Sequence, residues 1–317
     1  MNRVWNSKYV EQILEPNDWG RLQEQVRSRA ADLRPLPTEM KSRFLPLDDV
    51  RAVLFDIYGT LLISDAGEIL TGSEQQDDSR SRDLDAQALQ SLPKLLRSSL
   101  KEDFRPSLAL KKAIVAQHKR MKKRGIPYPE VDVISLWHRI FLQQLNEDMY
   151  RSLNPFILAR FALEYELLHN RVQLMPGTLE LLHWLSVRNF YVGIISNAQF
   201  YTPIIFSALL GLRSLSDLNI LSDLCFWSYQ YSYGKPEPEF FNNVRGALGR
   251  YGLEPHEALY LGNDMRNDVW GAHQAGFATA LFAGDRRSLR LHEDMAELAS
   301  LEADLIVTEL GQLKSVL

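Results

Sequence analysis

The sequence predicts an α/β protein: a doubly wound parallel sheet, Rossmann-like in build, with an inserted all-helical cap domain. Three observations predict it. Short continuous apolar runs recur at 52–55, 190–196, 221–227, 258–262, 277–282 and 305–308, the pattern of strands buried on both faces. Helix-like segments alternate with them in the second half of the chain, and βαβ repetition builds a parallel sheet. Between about 86 and 172, apolar residues fall only at helical spacing, so a helical block splits the sheet after its first strand.

Taken in order, residues 1–50 precede the first strand. Asn17 or Asp18 can cap a helix to about Leu33, with Trp19, Leu22 and Val26 on one face. Pro35, Pro37 and Pro46 interrupt regular structure beyond that helix. This extension reads as a strap packed on the main domain, with a regulatory or dimerising arm as the alternative. Residues 51–64 and 174–317 form the core domain. Residues 65–173 form the cap.

The first strand, 52–55, runs straight into Asp56, and Gly59 lets the chain turn beyond it. Residues 71–85 are polar, without apolar period, and read as a mobile loop. Leu89, Leu92, Leu95 and Leu96 open the helical block. Ile134, Trp137, His138 and Phe141 continue it, as do Phe156, Ala159, Leu163 and Leu167. A basic run from His118 to Arg124 reads as the solvated face of a helix. Its sharper reading is electrostatic guidance of an anionic substrate into a cleft below. A helix from Pro176, a strand ending at Ser196, and a turn at Gly234-Lys235-Pro236 leading into a helix come after the block. Then come a strand ending at Gly262 and the loop from Asn263 to Asp268.

Composition sets outer bounds. The 317 residues are 45% hydrophobic and 24% charged, ordinary for a globular protein. A net charge of −4 gives no general pull toward nucleic acid or an anionic membrane. Cys225 is the only cysteine, which excludes an internal disulfide and fits a reducing compartment. No signal-like segment opens the sequence and no apolar run is long enough to span a membrane. The expectation is a cytoplasmic protein; its oligomeric state is left open.

The chemistry lies at strand ends. Asp56, Ser196, Lys235 and the pair Asp264 and Asp268 each sit at the end of a strand or just past it, and a parallel sheet brings such ends to one edge. Asp56 by itself is a candidate nucleophile or metal ligand, or equally a helix cap or a structural carboxylate. Asp264 and Asp268, four apart, share one side of a helical turn. Three carboxylates in one cleft repel without a cation, and hard oxygen donors favour Mg²⁺. With magnesium present, Asp56 can attack phosphorus, Lys235 can neutralise charge, and Ser196 and Asn197 can hydrogen-bond the phosphoryl oxygens. Each part alone is weak. All of them in this order are a strong joint signal.

These motifs make the chain resemble the haloacid dehalogenase-like (HAD) hydrolase superfamily, helical-cap type, from about residue 50 to the end. The resemblance implies motif one in Asp56-Ile-Tyr58-Gly-Thr60, motif two at Ser196, motif three at Lys235, and motif four from Gly262 to Asp268. It implies Asp56, Ser196 and Lys235 in catalysis and Thr60, Ser196, Asn197 and Lys235 on the substrate. Mg²⁺ would be held by Asp56, the backbone carbonyl of Tyr58, Asp264 and Asp268. The implied partner is a small phosphorylated molecule.

The chain departs from the family pattern at Tyr58. Phosphatases of the family carry a second Asp there as general acid and base. A Tyr at this place is similar to the 2-haloacid dehalogenases, which need no metal. Those lack the paired motif-four acids, however, and have a Tyr six residues after the motif-three Lys, where this chain has Phe241. The leading reading is a Mg²⁺-dependent phosphate monoester hydrolase working through an aspartyl-phosphate, slow for lack of its general acid. The alternatives are a metal-independent dehalogenase-like hydrolase and a non-catalytic phosphate-binding or regulatory protein. His118 or His138 of the cap could supply the missing proton, though an ordinary surface or packed histidine is the default for each.

Overall fold

The computed structural model describes residues 5–65 and 78–317. At its centre is a six-stranded parallel sheet. In chain order it opens with β1 (Ala52–Phe55), which hands over to a short strand, β2 (Leu62–Ser64). A third strand, β3 (Val172–Leu174), pairs antiparallel with β2 where the chain returns from the helical block. Beyond it lie β4 (Tyr191–Ser196), β5 (Ile220–Trp227), β6 (Ala258–Gly262), β7 (Ala278–Phe282) and β8 (Leu305–Val307). The sheet order is β5-β4-β1-β6-β7-β8. The chain leaves β1 in one direction through β4 and β5, then crosses to β6 on the other side. Beside β1, therefore, the winding reverses, and the crevice there is where open α/β sheets bind ligands.

Why β1 holds the centre is plain from its residues. All four are inaccessible to solvent. Val53 and Phe55 pack on one face of the sheet, and Ala52 and Leu54 on the other. Phe55 pairs with Ile194 of β4 and with Leu261 of β6. That common register brings the ends of three strands level.

The helices number α1 (Ser7–Ile13) and α2 (Pro16–Ser28) before the sheet. Between β2 and β3 lie α3 (Asp78–Gln90), α4 (Lys94–Ser98), α5 (Pro106–Lys122), α6 (Val133–Gln144), α7 (Glu147–Tyr150) and α8 (Pro155–His169). The sheet is covered by α9 (Thr178–Val187), α10 (Thr202–Leu209), α11 (Pro238–Arg250) and α12 (Gly271–Gln274). The helical block packs around Trp137, Phe141 and Phe161, with Phe161 edge-on to both of the other rings. No helix among the described residues is long and apolar enough to cross a membrane.

Two segments differ from expectation. Of the loop expected at 71–85, residues 71–77 lie outside the described residues, and the remainder belongs to α3. That helix lacks an apolar stripe because a buried carboxylate anchors it: Asp85 accepts from Arg105 Nε, Ser107 N and Ser107 Oγ at 2.8, 2.8 and 2.7 Å. The N-terminal extension holds a second helix, α1, too short for its periodicity to stand out. It is capped by Asn6, whose side chain accepts from Tyr9 N.

The extension touches both the sheet side and the helical block. Gln23 Nε2 donates to Ser207 Oγ of α10 at 2.9 Å, while Gln25 and Arg29 both reach Glu164 of α8. Further on, Arg43 and Ile306 exchange backbone hydrogen bonds, which adds a short antiparallel bridge to β8.

Candidate active site

Asp56 comes directly after β1, and its backbone N–H donates to Leu261 O at 2.9 Å, which pins it to the neighbouring strand end. The turn after it needs Gly59. There φ is +86°, and a Cβ would lie 2.5 Å from Ser288 Cβ and 2.8 Å from Asn263 Nδ2.

Lys235 is the hub. Its ammonium donates to Asp56 Oδ1 at 2.7 Å, to Asp268 Oδ1 at 2.5 Å and to the Tyr260 hydroxyl at 2.8 Å. An ammonium has three donors, so all are spent. Burial alone would lower the lysine pKa, but Asp268 and Asp56 outweigh it and hold the pKa above the ordinary lysine range. One cation thus serves two carboxylates. Burial, opposed by Lys235 and reinforced by the charge of Asp268, leaves the Asp56 pKa raised to about 6.

Glycines make this convergence possible. A Cβ on Gly262 would sit 2.3 Å from the Asp268 carboxyl carbon, and one on Gly234 would sit 2.3 Å from Asn197 Oδ1. Asn197 uses that oxygen to accept from Lys235 N at 2.7 Å and its Nδ2 to donate to Lys235 O at 3.0 Å. Its expected place is on the substrate. The amide is instead committed to the Lys235 backbone, a positioning role.

Asp264 and Asp268 lie where the chain leaves β6 and enters a wide helical turn, Met265–Trp270. Asp264 Oδ1 accepts from Arg266 N at 2.8 Å, Asn267 N at 2.7 Å and His292 Nε2 at 3.0 Å. Burial, then the charge of Asp268, raises its pKa. Ser196 ends β4. Its hydroxyl is buried without a hydrogen bond of good geometry, though it lies close enough to Asp56 to favour that carboxylate's ionised form.

Tyr58 occupies the position of the missing acid. Its hydroxyl pairs with Thr202 Oγ1 at 3.0 Å. Burial, with the charge of Glu166 next in weight, pushes its pKa well above that of a free phenol. A phenol so placed holds its proton.

Asp56, Tyr58, Ser196, Asn197, Lys235, Asp264 and Asp268 line one cleft of about 450 Å³, within the range of small-molecule sites. Thr60 does not line it. It is fully buried, and its hydroxyl donates to Asn263 Oδ1 at 3.1 Å, so it braces the turn rather than reaching a ligand. His118 of α5 does reach the cleft. His138 does not line it: its Nδ1 accepts from Trp5 N at 3.1 Å and its Nε2 meets the Tyr150 hydroxyl at 2.5 Å. It is an ordinary packed histidine.

The cleft also holds Lys122, from the basic run that the sequence singled out, and groups that it did not. Lys122, Tyr128 and Glu130 come from the helical block, and Arg266 and Arg290 from the core. Tyr260 stands behind Lys235, its hydroxyl 2.8 Å from Ile195 O and 3.0 Å from Asp268 Oδ1. Phe241 packs edge-on against its ring at 5.9 Å. A phenol in an otherwise apolar strand, two residues before its end, was the available signal. Glu130 accepts from Ser228 Oγ at 2.7 Å and from Gln199 Nε2 at 3.1 Å, and burial raises its pKa to about 7.

As donors, the three aspartates suit a hard divalent cation in kind. In these positions Asp56 and Asp268 share Lys235. Among the described residues no three acidic, histidine or cysteine side chains are drawn together as a chelating cluster.

A parallel sheet with a carboxylate at the end of its central strand, a buried lysine and paired acids beyond β6 defines a class of hydrolase. A model of the haloacid dehalogenase-like hydrolase family matches residues 50–276, and the chain belongs to that family. Among curated proteins it is 51% identical over 43 residues to a phospholysine phosphohistidine inorganic pyrophosphate phosphatase of Rattus norvegicus. That match covers 14% of this chain and 15% of the relative. It is 29% identical over 133 residues to a phosphoglycolate phosphatase of Nitrosococcus oceani, 41% of this chain and 52% of that one. The matched stretches thus span between about a seventh and about half of these relatives. Among solved structures it is similar to a predicted phosphoglycolate phosphatase from Haemophilus somnus, at 19% identity and a TM-score of 0.45, over 85% of this chain and 99% of the other.

Proposed function

We propose that this protein hydrolyses small phosphate monoesters through an aspartyl-phosphate on Asp56, with Mg²⁺ as cofactor. The observation that carries the reading is the convergence of Asp56, Asp264 and Asp268 on one cleft with a single buried ammonium between them. Asp56 and Asp268 share one lysine and Asp264 meets only His292, which leaves these carboxylates short of directly bonded positive charge. Mg²⁺, held by Asp56, the Tyr58 carbonyl, Asp264 and Asp268, would supply it and offset the charge of the phosphoryl group.

The chain's own groups do the rest. A carboxylate oxygen of Asp56 attacks phosphorus, the ester P–O bond breaks, and the leaving group departs as its oxyanion and takes a proton from water. Water then attacks the phosphorus of the aspartyl-phosphate, which releases inorganic phosphate and restores Asp56. Lys235 fixes the Asp56 carboxylate through Oδ1 and keeps it ionised against burial. The Ser196 hydroxyl, without a strong partner of its own, is available to a phosphoryl oxygen. Tyr58 holds its proton too firmly to serve the leaving group, so substrates with acidic leaving groups are favoured: aryl or acyl phosphates, or pyrophosphate, which leaves as phosphate.

The test is hydrolysis of an aryl phosphate with Mg²⁺ and then with EDTA, beside Asp56→Asn. Turnover that needs both metal and Asp56 is expected. Absence of turnover under every condition sinks the reading. Tyr58 favours a second reading, a hydrolase that displaces halide at carbon. Halide release from 2-chloropropionate that survives EDTA would mark it.

A further inference from the structure

The cleft also holds charges that are unspent. Elsewhere in the molecule, arginines near carboxylates pair with them: Arg105 with Asp85, Arg171 with Asp65, Arg287 with Asp285. Three cations that line the cleft do not. Lys122, Arg266 and Arg290 form no ion pair among the described residues, although Asp56, Asp264, Asp268 and Glu130 line the same space. Those carboxylates are engaged with other groups: Asp56 and Asp268 with Lys235, Asp264 with His292, Glu130 with Ser228 and Gln199.

Two of these cations are held in place by neutral contacts. Arg290 Nη1 donates to Arg287 O at 2.8 Å and to Leu289 O at 3.0 Å. Its backbone is clipped to the acid loop, with Arg290 N donating to Asn263 O and Met265 N to Arg290 O. Arg266 lies over the Tyr128 ring at 5.3 Å and its Nη2 donates to the Tyr128 hydroxyl at 3.3 Å, a contact from the core to the helical block. Tyr128 in turn accepts through its carbonyl from Gly234 N, next to Lys235. The third, Lys122, sits in the last turn of α5. Burial, then the Lys122 charge, lowers the pKa of His118, so that ammonium bears on the same wall. Guanidinium groups pre-oriented by neutral partners are the usual means of binding a carboxylate or phosphate.

We infer that Lys122, Arg266 and Arg290 bind a second anionic group of the substrate, so that the substrate is a small doubly anionic molecule: a phosphate ester that also carries a carboxylate or another phosphate. The inference rests on the phosphatase reading for the phosphate end. The volume of about 450 Å³ leaves room for a phosphate and a body of a few carbons. Lys235 cannot serve the second anion, since all three of its donors are spent.

Equilibrium binding tests this without turnover. The probes are methylphosphonate, with one anionic group, and phosphonoacetate and methylenediphosphonate, with two. The protein is wild type, Lys122→Met, Arg266→Gln and the double variant, titrated by calorimetry with Mg²⁺ present. Wild type should bind at least one two-anion probe about 10-fold or more tighter than methylphosphonate. Each single variant should reduce that preference by about 3-fold or more, and the double variant should abolish it. A carboxylate second group is indicated if phosphonoacetate is the tighter probe, and a phosphate if methylenediphosphonate is. Equal binding of all three probes by wild type, or a preference that survives the double variant, overturns the inference. Failure of the phosphatase reading looks different: aryl phosphate is not turned over, while the binding preference stands.

Discussion

Two sets of charged groups in the cleft are built on opposite plans. In the first, Asp56, Lys235, Asp268 and Tyr260 are buried and joined in one network, with the Lys235 backbone held by the Asn197 amide. In the second, Lys122, Arg266 and Arg290 are exposed or half-buried and unpaired with carboxylates among the described residues. Under the proposed function, the difference separates two tasks. Chemistry requires groups held in one geometry, which burial and a closed hydrogen-bond network supply. Recognition of a substrate's remote part requires charge left available, which an ion pair within the protein would consume.

The largest break in this contrast comes from removing the nucleophile. Asp56→Asn should lower turnover of an aryl phosphate by about 10³-fold or more, read as kcat. Next is Lys235→Met, which leaves Asp56 and Asp268 buried without their cation. A loss of about 3–5 kcal/mol in urea-unfolding stability is expected, a cost that no single substitution of Lys122, Arg266 or Arg290 should match. Tyr58→Asp sharpens the contrast from inside. An acid there should raise kcat on alkyl phosphates by roughly 10²-fold while changing aryl phosphates less, because only the alkyl leaving group needs the proton.

The smallest effect is one of pH. Burial raises the pKa of Glu130 and of Glu166 from the ordinary glutamate value to about 7 each. Because the folded pKa is raised, the stability that each group contributes is full below about 4.5, is lost as pH rises, and is gone above about 7. Glu166→Gln should flatten the stability–pH curve across that window by on the order of 2 kcal/mol, read by urea unfolding at pH 5 and pH 8. Glu166 does not line the cleft. It accepts from Tyr201 and Asn170, so a change in turnover larger than the change in stability would show the two regions to be coupled.

How far the sequence reached divides along the same line. An apolar run is a strand whatever lies around it, and Asp56 must stand at the end of its run. Parallel strands of similar length end level, so Ser196, Lys235 and Asp268 could be expected beside Asp56 across long stretches of chain. What local pattern could not supply was the direction in which each side chain points. Thr60 lies four residues beyond Asp56 but is turned inward to Asn263, and Asn197 spends its amide on the Lys235 backbone. A buried Asp85 in place of an apolar stripe hid the start of α3.

The sequence by itself determined the chain order of the six strands of the central sheet and the residue types at their ends, because apolar runs are local properties of the chain. Only the tertiary structure decided that Lys235 is saturated by Asp56, Asp268 and Tyr260, that His118 reaches the cleft while His138 does not, and that Lys122, Arg266 and Arg290 line the same cleft. Those facts depend on contacts between residues far apart in the chain, whose geometry is set by how the helical block packs over the sheet.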